Sequence, residues 1–220
     1  MLKIAFQGEL GAYSHIASKE LFPDAKITTC STFEETFKLA HEDSSYKVVI
    51  PIENSLAGRV ADIHYLLPKY KLQIYGEHFQ RVEHNLLSIK SANLSDIKFV
   101  RSHAQAIGQC QNLITENKFK TIISADTAGS AKDLSENNDK SIAAIASDLS
   151  AEIYNLKILK KNIEDEKGNV TRFLIMGKNI QQPTYDLNKK FITSCIFRLK
   201  SIPSAPVSYT HLTLPTSPKV

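Results

Sequence analysis

The chain has 220 residues, 42% of them hydrophobic, and 27 Lys and Arg against 23 Asp and Glu give it a net charge of +4. That length allows one large domain or two lobes of about 100 residues each, with enough apolar content for a real core. The basic residues are spread along the chain and not gathered into blocks with interleaved aromatics, which argues against a nucleic-acid partner and suits a small anionic ligand.

In chain order, KIAFQ reads as a strand and is followed by a helix from about Tyr13 to Leu21; AKITTC leads into FEETFKLAHED, and KVVIPI into VADIHYLLPKY. Short apolar strands alternating with helices predict an α/β fold with a largely parallel sheet. Phe33, Phe37 and Ala40 share one apolar helix face and read as core. From LQIYGEHFQRVEHNLLSI onward the strands lengthen, as in a crossing or a hairpin, and three further strand-helix stretches follow up to SIAAIASDLSAEIY. This segment reads as a second α/β unit inserted before TRFLIM, a strand that returns to the first unit. Two lobes joined by a double crossover result, with a cleft between them: lobe 1 at about 1–75 plus 165–178, and lobe 2 at about 76–164.

Cys30, Cys110 and Cys195 are far apart, form no CxxC pair and are odd in number, so neither a disulfide framework nor a zinc cluster is expected. His41, His64, His78 and His84 lack metal-ligand spacing and read as surface or satisfied core histidines. The first strand begins at the second residue with no leader before it, and no stretch has the length of a membrane span. The expectation is a reduced, cytoplasmic protein with no metal and no membrane partner.

Four stretches place small polar residues directly after a strand. In GELGAYS, Gly8 and Gly11 permit a tight turn, and Ser14 could either donate to a ligand or cap the helix. In PIENSLAG, a buried strand runs into Glu53, Asn54 and Ser55 and then Ala57 and Gly58; charge and amide at a strand end suit a polar ligand, and a capped turn explains them equally. In SHAQAIGQC, a helix starting near Ser102 would put Ser102, Gln105 and Gln109 on one face, either as neutral donors to a carboxylate or as a solvated stripe, with His103 off that face. In SADTAGSA, Asp126, Thr127 and Gly129 form another junction with free amides, or another cap.

A fifth stretch, GNVTRFLIMG, sets Thr171 and Arg172 between a flexible turn and the apolar run that begins at Phe173. The pair falls at a strand edge, where side chains can face a cleft.

Taken in this order and at these separations, the five stretches resemble the catalytic region of the prephenate dehydratases over about residues 1–178. The resemblance implies a two-lobed α/β fold like that of type II periplasmic binding proteins, with the substrate prephenate held between the lobes. It also implies conversion of prephenate to phenylpyruvate, carbon dioxide and water, with no cofactor or metal. Such a site must hold two carboxylates and assist loss of a ring hydroxyl without overstabilising the carboxylate that leaves. On this resemblance Thr171 hydrogen-bonds the departing hydroxyl, Arg172 places charge beside a substrate carboxylate or anchors the cleft, and Glu53 either supplies a proton or orients Asn54 or Arg172. Asn54, Ser102 and Gln109 fall on site-lining motif positions; Ser14, Ser55, Ala57, Gly58, Gln105, Thr127 and Phe173 are expected to bind or shape. Ala104 departs from the family's usual proline after the Ser-His pair, which alters the preset first helical turn.

Beyond a linker at 179–190, FITSCIFRLKSIPSA looks like the start of an ACT regulatory domain at 191–206, and the Thr-, Ser- and Pro-rich 207–220 resembles a translated library adapter. The expectation is that normal phenylalanine inhibition is absent. The intact family implies a homodimer or higher homo-oligomer. Two other readings stay open: an arogenate dehydratase, which shares the motifs, and a two-lobed binding module without chemistry.

Overall fold

The computed structural model describes residues 2–179; the linker, ACT-like and tail expectations for 179–220 lie, but for residue 179, outside the described residues. The first lobe begins with β1 (Lys3–Gln7), α1 (Tyr13–Leu21), β2 (Lys26–Cys30), α2 (Phe33–Glu42) and β3 (Tyr46–Asn54). It continues through the two-residue β4 (Gly58–Arg59), α3 (Ala61–Tyr70) and β5 (Gln73–Arg81). The second lobe holds β6 (Asn85–Ser88), β7 (Phe99–His103), α4 (Ala104–Gly108), α5 (Gln111–Glu116), β8 (Lys120–Ser124), α6 (Thr127–Asn137), β9 (Ile142–Ala146), α7 (Asp148–Ile153) and β10 (Lys157–Lys160). Strand β11 (Val170–Gly177) returns to the first lobe.

The first sheet has the order β2-β1-β3-β11-β5, with β4 on β3, and the second has β10-β6-β9-β7-β8. The predicted return of the last strand is present: β11 lies between β3 and β5. Two expectations need correction. Both sheets are mixed and not largely parallel, because β11 runs antiparallel to β3 and β5, and β6 runs antiparallel to β9 and β10. The lobe boundary near residue 75 falls inside β5, which pairs with β11 from Gln73 to Arg81, so the crossing comes after Arg81.

Strand β11 is apolar on both sides because both faces of its sheet are covered. Phe173 and Ile175 pack with Ile4, Ala17 and Val49 on the side of α1, whereas Leu174 and Met176 join Phe37, Ile50, Ile63 and Leu66 on the side of α2 and α3. Helix α2 is fixed by Thr32, whose hydroxyl accepts from Glu35 N at 3.0 Å while the Glu35 carboxylate takes the Ser31 N–H at 2.8 Å. Of its expected core face, Phe37 and Ala40 are fully buried and Phe33 packs partly buried against them.

The two crossing segments run side by side: Val82 N donates to Asn169 O at 2.9 Å, and Ile163 N to His84 O at 2.8 Å. The lobes also meet at the turn before α1. There the Gly11 carbonyl accepts from the Ser147 and Ser150 hydroxyls (2.6 and 3.1 Å) and the Leu10 carbonyl from Tyr154 Oη at 2.9 Å. Gly11 has φ of +93°, and a Cβ there would come within 2.8 Å of Ser150 Cα, so both conformation and closeness require glycine. Among the described residues no helix is long and apolar enough to cross a membrane, and no group of three or more His, Cys, Asp or Glu could hold a metal.

Candidate active site

Neighbouring residues of a strand point to opposite faces, and this divides the Thr171–Arg172 pair. Thr171 pairs in register with Asn54 and Gln80, on the side of Phe173 and α1; Arg172 pairs with Glu53 and Phe79, on the other side. Between Arg172 and Phe173 the register with β3 slips by one residue, a β-bulge at Ile52 next to Pro51, which cannot donate to the ladder anyway. The bulge sits where β3 delivers Glu53 and Asn54.

On the Arg172 face the guanidinium is already engaged. Nε and Nη2 contact Glu77 Oε2 at 2.8 and 2.6 Å, Nη1 contacts Glu53 Oε1 at 3.1 Å, and the group lies 5.9 Å from the Phe79 ring centroid. Its pKa is raised, chiefly by the hydrogen bond to Glu53, with Glu77 adding to it. Two carboxylates on one cation leave no surplus positive charge for a substrate. Arg172 thus bridges Glu53 on β3 and Glu77 on β5.

On the Thr171 face a chain of side chains begins at a turn. Asn54 Oδ1 accepts from the N–H groups of Leu56 (3.0 Å) and Ala57 (2.8 Å), an Asx turn that fixes which end of the amide is oxygen. Asn54 Nδ2 therefore donates, to Asn169 Oδ1 at 2.6 Å and to Thr171 Oγ1 at 2.9 Å. Because Thr171 accepts here, its own proton has no partner among the described residues. Ser55 ties the turn to the entry of β11, its N–H donating to Val170 O at 2.9 Å and its Oγ accepting from Val170 N at 3.0 Å. Gly58, at φ +80°, closes the turn by pairing with Asn54.

Asn169, 1% exposed, passes the chain to the second lobe: its Nδ2 donates to Gln109 Oε1 at 2.9 Å. The same oxygen is 2.9 Å from His84 Nε2, and His84 Nδ1 is 3.2 Å from Tyr13 Oη, which donates to Glu83 O at 2.6 Å. Burial holds the His84 pKa below its ordinary value, against a raising effect of Gln109 and Glu164. Burial, and then the charge of Glu164, hold the Tyr13 pKa well above 10.0, so its hydroxyl keeps its proton. Gln109 is half-buried, and Arg101 Nε is the sole buried side-chain nitrogen or oxygen without a hydrogen bond among the described residues. The Gln109 Nε2 group, with no protein partner among them, therefore faces solvent.

The remaining expected site residues make none of these contacts. Ser102 is the fourth residue of β7 and not on a helix; it is fully buried, and its hydroxyl donates to Ile145 O at 2.7 Å, holding β7 to β9. Helix α4 starts only at Ala104 with His103 as its cap, so Gln105 and Gln109 fall near its start and at its C-cap, and Gln105 is exposed. Phe173 is 1% exposed and belongs to the core. Ser14 is the second residue of α1 and buried, while Ala12 stands at the cap. Thr127 opens α6, where Asp126 Oδ1 caps Gly129 N at 2.6 Å. A nearby recess of about 360 Å³ carries Glu9, Asp126, Asp133 and Glu136 against Lys132, a charge balance that repels a dianion. Three members of the hydrogen-bond chain are not among the expected site residues: Asn169, which stands in the turn of GNVTRFLIMG, His84, read as a surface or satisfied core histidine, and Tyr13, read as the start of α1.

The fold and site together define a class: a two-lobed α/β protein with a polar junction between lobes, where a hydroxyl and an amide are left as neutral donors. Residues 4–181 match the prephenate dehydratase family. A bifunctional N-acyl-homoserine lactone acylase/prephenate dehydratase of Komagataeibacter europaeus is 40% identical over 92% of this chain and 72% of its own length. Arogenate dehydratase/prephenate dehydratase 2 of Arabidopsis thaliana, a chloroplastic protein, is 37% identical over 92% of this chain, which spans about half, 52%, of that relative. Among solved structures, prephenate dehydratase of Staphylococcus aureus superposes with TM-score 0.71 at 29% identity, covering 82% of this chain and 67% of that one. The Arthrobacter aurescens enzyme in complex with L-Phe gives 0.78 at 25% identity, covering 84% and 62%. The chain belongs to the prephenate dehydratase family, carbon–oxygen lyases of phenylalanine biosynthesis.

Proposed function

We propose that this chain catalyses the decarboxylating dehydration of prephenate to phenylpyruvate. The ring carboxylate leaves as carbon dioxide, its bonding pair enters the ring, and the ring expels the hydroxyl, which takes up one proton from solvent water to depart as water. Thr171 donates its free proton as a hydrogen bond to that hydroxyl, and the Gln109 amide offers two N–H groups to a carboxylate oxygen. Neutral donors suit a reaction in which one carboxylate must be held and another must lose its charge, because a cation beside the departing carboxylate would stabilise the ground state. Arg172, bound to Glu53 and Glu77, steadies the bulge that presents Asn54. The observation that carries the reading is the Asn54 amide, fixed by Leu56 and Ala57, which makes Thr171 an acceptor within the protein and so a donor toward the ligand. Phenylpyruvate formation by the purified chain, compared with Thr171→Ala, tests it; turnover unaltered by the substitution contradicts it.

Arogenate is a second reading, favoured by plant relatives 36–37% identical whose names include arogenate dehydratase. Arogenate carries an ammonium where prephenate has a keto oxygen, so rates with the two substrates separate the readings. The same proposal carries self-association, and the exposed Ile74, Tyr75 and Phe79 on β5, the edge strand among the described residues, offer it an apolar surface. Sedimentation of the purified chain tests that.

A further inference from the structure

We infer that Asn169 and His84, with Tyr13 behind His84, are positioning residues for Gln109, working through a hydrogen-bond chain whose polarity is set at one end by backbone N–H groups and which requires a proton on His84 Nε2. The inference rests on the reading of Gln109 as a donor to a substrate carboxylate.

The polarity follows link by link. The Leu56 and Ala57 N–H groups fix Asn54 Oδ1 as acceptor, so Asn54 Nδ2 faces Asn169 Oδ1. That assigns the other end of the Asn169 amide as the donor to Gln109 Oε1. The Gln109 oxygen takes its second contact from His84 Nε2, which must therefore carry hydrogen. Reversing any one amide would set N–H against N–H, or oxygen against oxygen, at 2.6–2.9 Å with the next member. The chain thus has one consistent orientation, and in it both Thr171 Oγ–H and Gln109 Nε2 are left to donate outward. A free Gln109 amide could turn its oxygen toward the ligand and repel a carboxylate; His84 prevents this.

The far end is held more loosely. Tyr13 Oη has one proton and two acceptors, Glu83 O at 2.6 Å and His84 Nδ1 at 3.2 Å. Sharing that proton, or adding one to Nδ1, leaves Nε2–H in place. Only the opposite neutral tautomer, with hydrogen on Nδ1 alone, breaks the chain. His84 is 3% exposed and Asn169 1%, so water does not readily replace either contact. His84 also lies in the crossing segment between lobes, so the chain ties the donor on β11 to the second lobe.

Two experiments test this. Nitrogen-15 NMR of histidine side chains in the full chain at neutral pH, with His84 assigned from His84→Gln, is expected to show a protonated Nε2; an unprotonated Nε2 overturns the inference regardless of activity. In phenylpyruvate kinetics, His84→Phe, which keeps ring volume without a donor, is expected to lower kcat about tenfold, the weight of one neutral hydrogen bond. His84→Gln, whose amide N–H can reach the same oxygen, is expected to recover most of it. Gln109→Ala is expected to cost about tenfold less in the His84→Phe background than in the parent. Additive losses, or no recovery by His84→Gln, overturn the positioning role. A parent chain that turns over neither substrate refutes the dehydratase reading, while the tautomer measurement still decides the chain's polarity.

Discussion

Replacing Asn54 by aspartate keeps the turn and reverses one contact. In Asn54→Asp one carboxylate oxygen still accepts from Leu56 and Ala57, so the fold of residues 54–58 has no reason to change. The other oxygen takes the place of Nδ2, 2.9 Å from Thr171 Oγ1 and 2.6 Å from Asn169 Oδ1. Thr171 then turns its proton inward to a charged acceptor, a bond worth about 1.5–3 kcal/mol. The departing hydroxyl must compete for that proton, and at 1.36 kcal/mol per factor of ten kcat falls about 10- to 100-fold. Asn169 faces a carboxylate with its own oxygen, which adds a stability loss of about 1–3 kcal/mol unless its amide reverses. The assay is initial-rate formation of phenylpyruvate alongside a urea unfolding curve. A kcat within threefold of the parent, in a folded variant, refutes the claim that Asn54 sets the direction of the Thr171 hydroxyl.

Other substitutions probe the rest of the site. Arg172→Gln leaves Glu53 and Glu77 without their cation and is expected to lower stability by about 1 kcal/mol, as half-exposed pairs allow, while KM changes by less than about threefold; a KM rise beyond tenfold would place Arg172 on the substrate. Phe173→Leu is expected to cost about 1–2 kcal/mol in urea unfolding through lost packing against Ile4, Ala17 and Val49, with KM preserved; the reverse pattern would make Phe173 a substrate contact. Burial lowers the pKa of His84 and of His15, the latter also through Lys19. The unfolded chain therefore binds these protons first, so stability falls as pH drops below about 6.5, by up to about 1.4 kcal/mol per pH unit for each proton. Urea midpoints that rise between pH 7 and pH 5.5 would contradict this assignment.

Much of the fold was legible because two periodicities are strong in this chain. Alternating strands and helices marked the first lobe, and TRFLIM announced a strand apolar on both faces, which is what a central strand covered by α1 on one side and α2 and α3 on the other requires. The period of two in that strand also carries the separation of Thr171 from Arg172 and the burial of Phe173. Its antiparallel direction is not legible, since an apolar run reads alike both ways. Ser102 belongs to β7 because helix α4 starts two residues later, capped by His103; boundaries of this kind turn on a single cap. Asn169 and His84 carry no local signal. Their roles come from contacts 60 and 25 residues distant in sequence, both to Gln109, and only the folded chain brings these together.

The central claim is that Thr171 donates to the hydroxyl that leaves prephenate. The most direct measurement is kcat for phenylpyruvate formation by the chain and by Thr171→Ala, each shown to be folded. The account predicts turnover by the parent and a fall of about 10²-fold or more in the variant, the scale expected when one preorganised donor to developing negative charge is removed. A variant that turns over within a few-fold of the parent would contradict it.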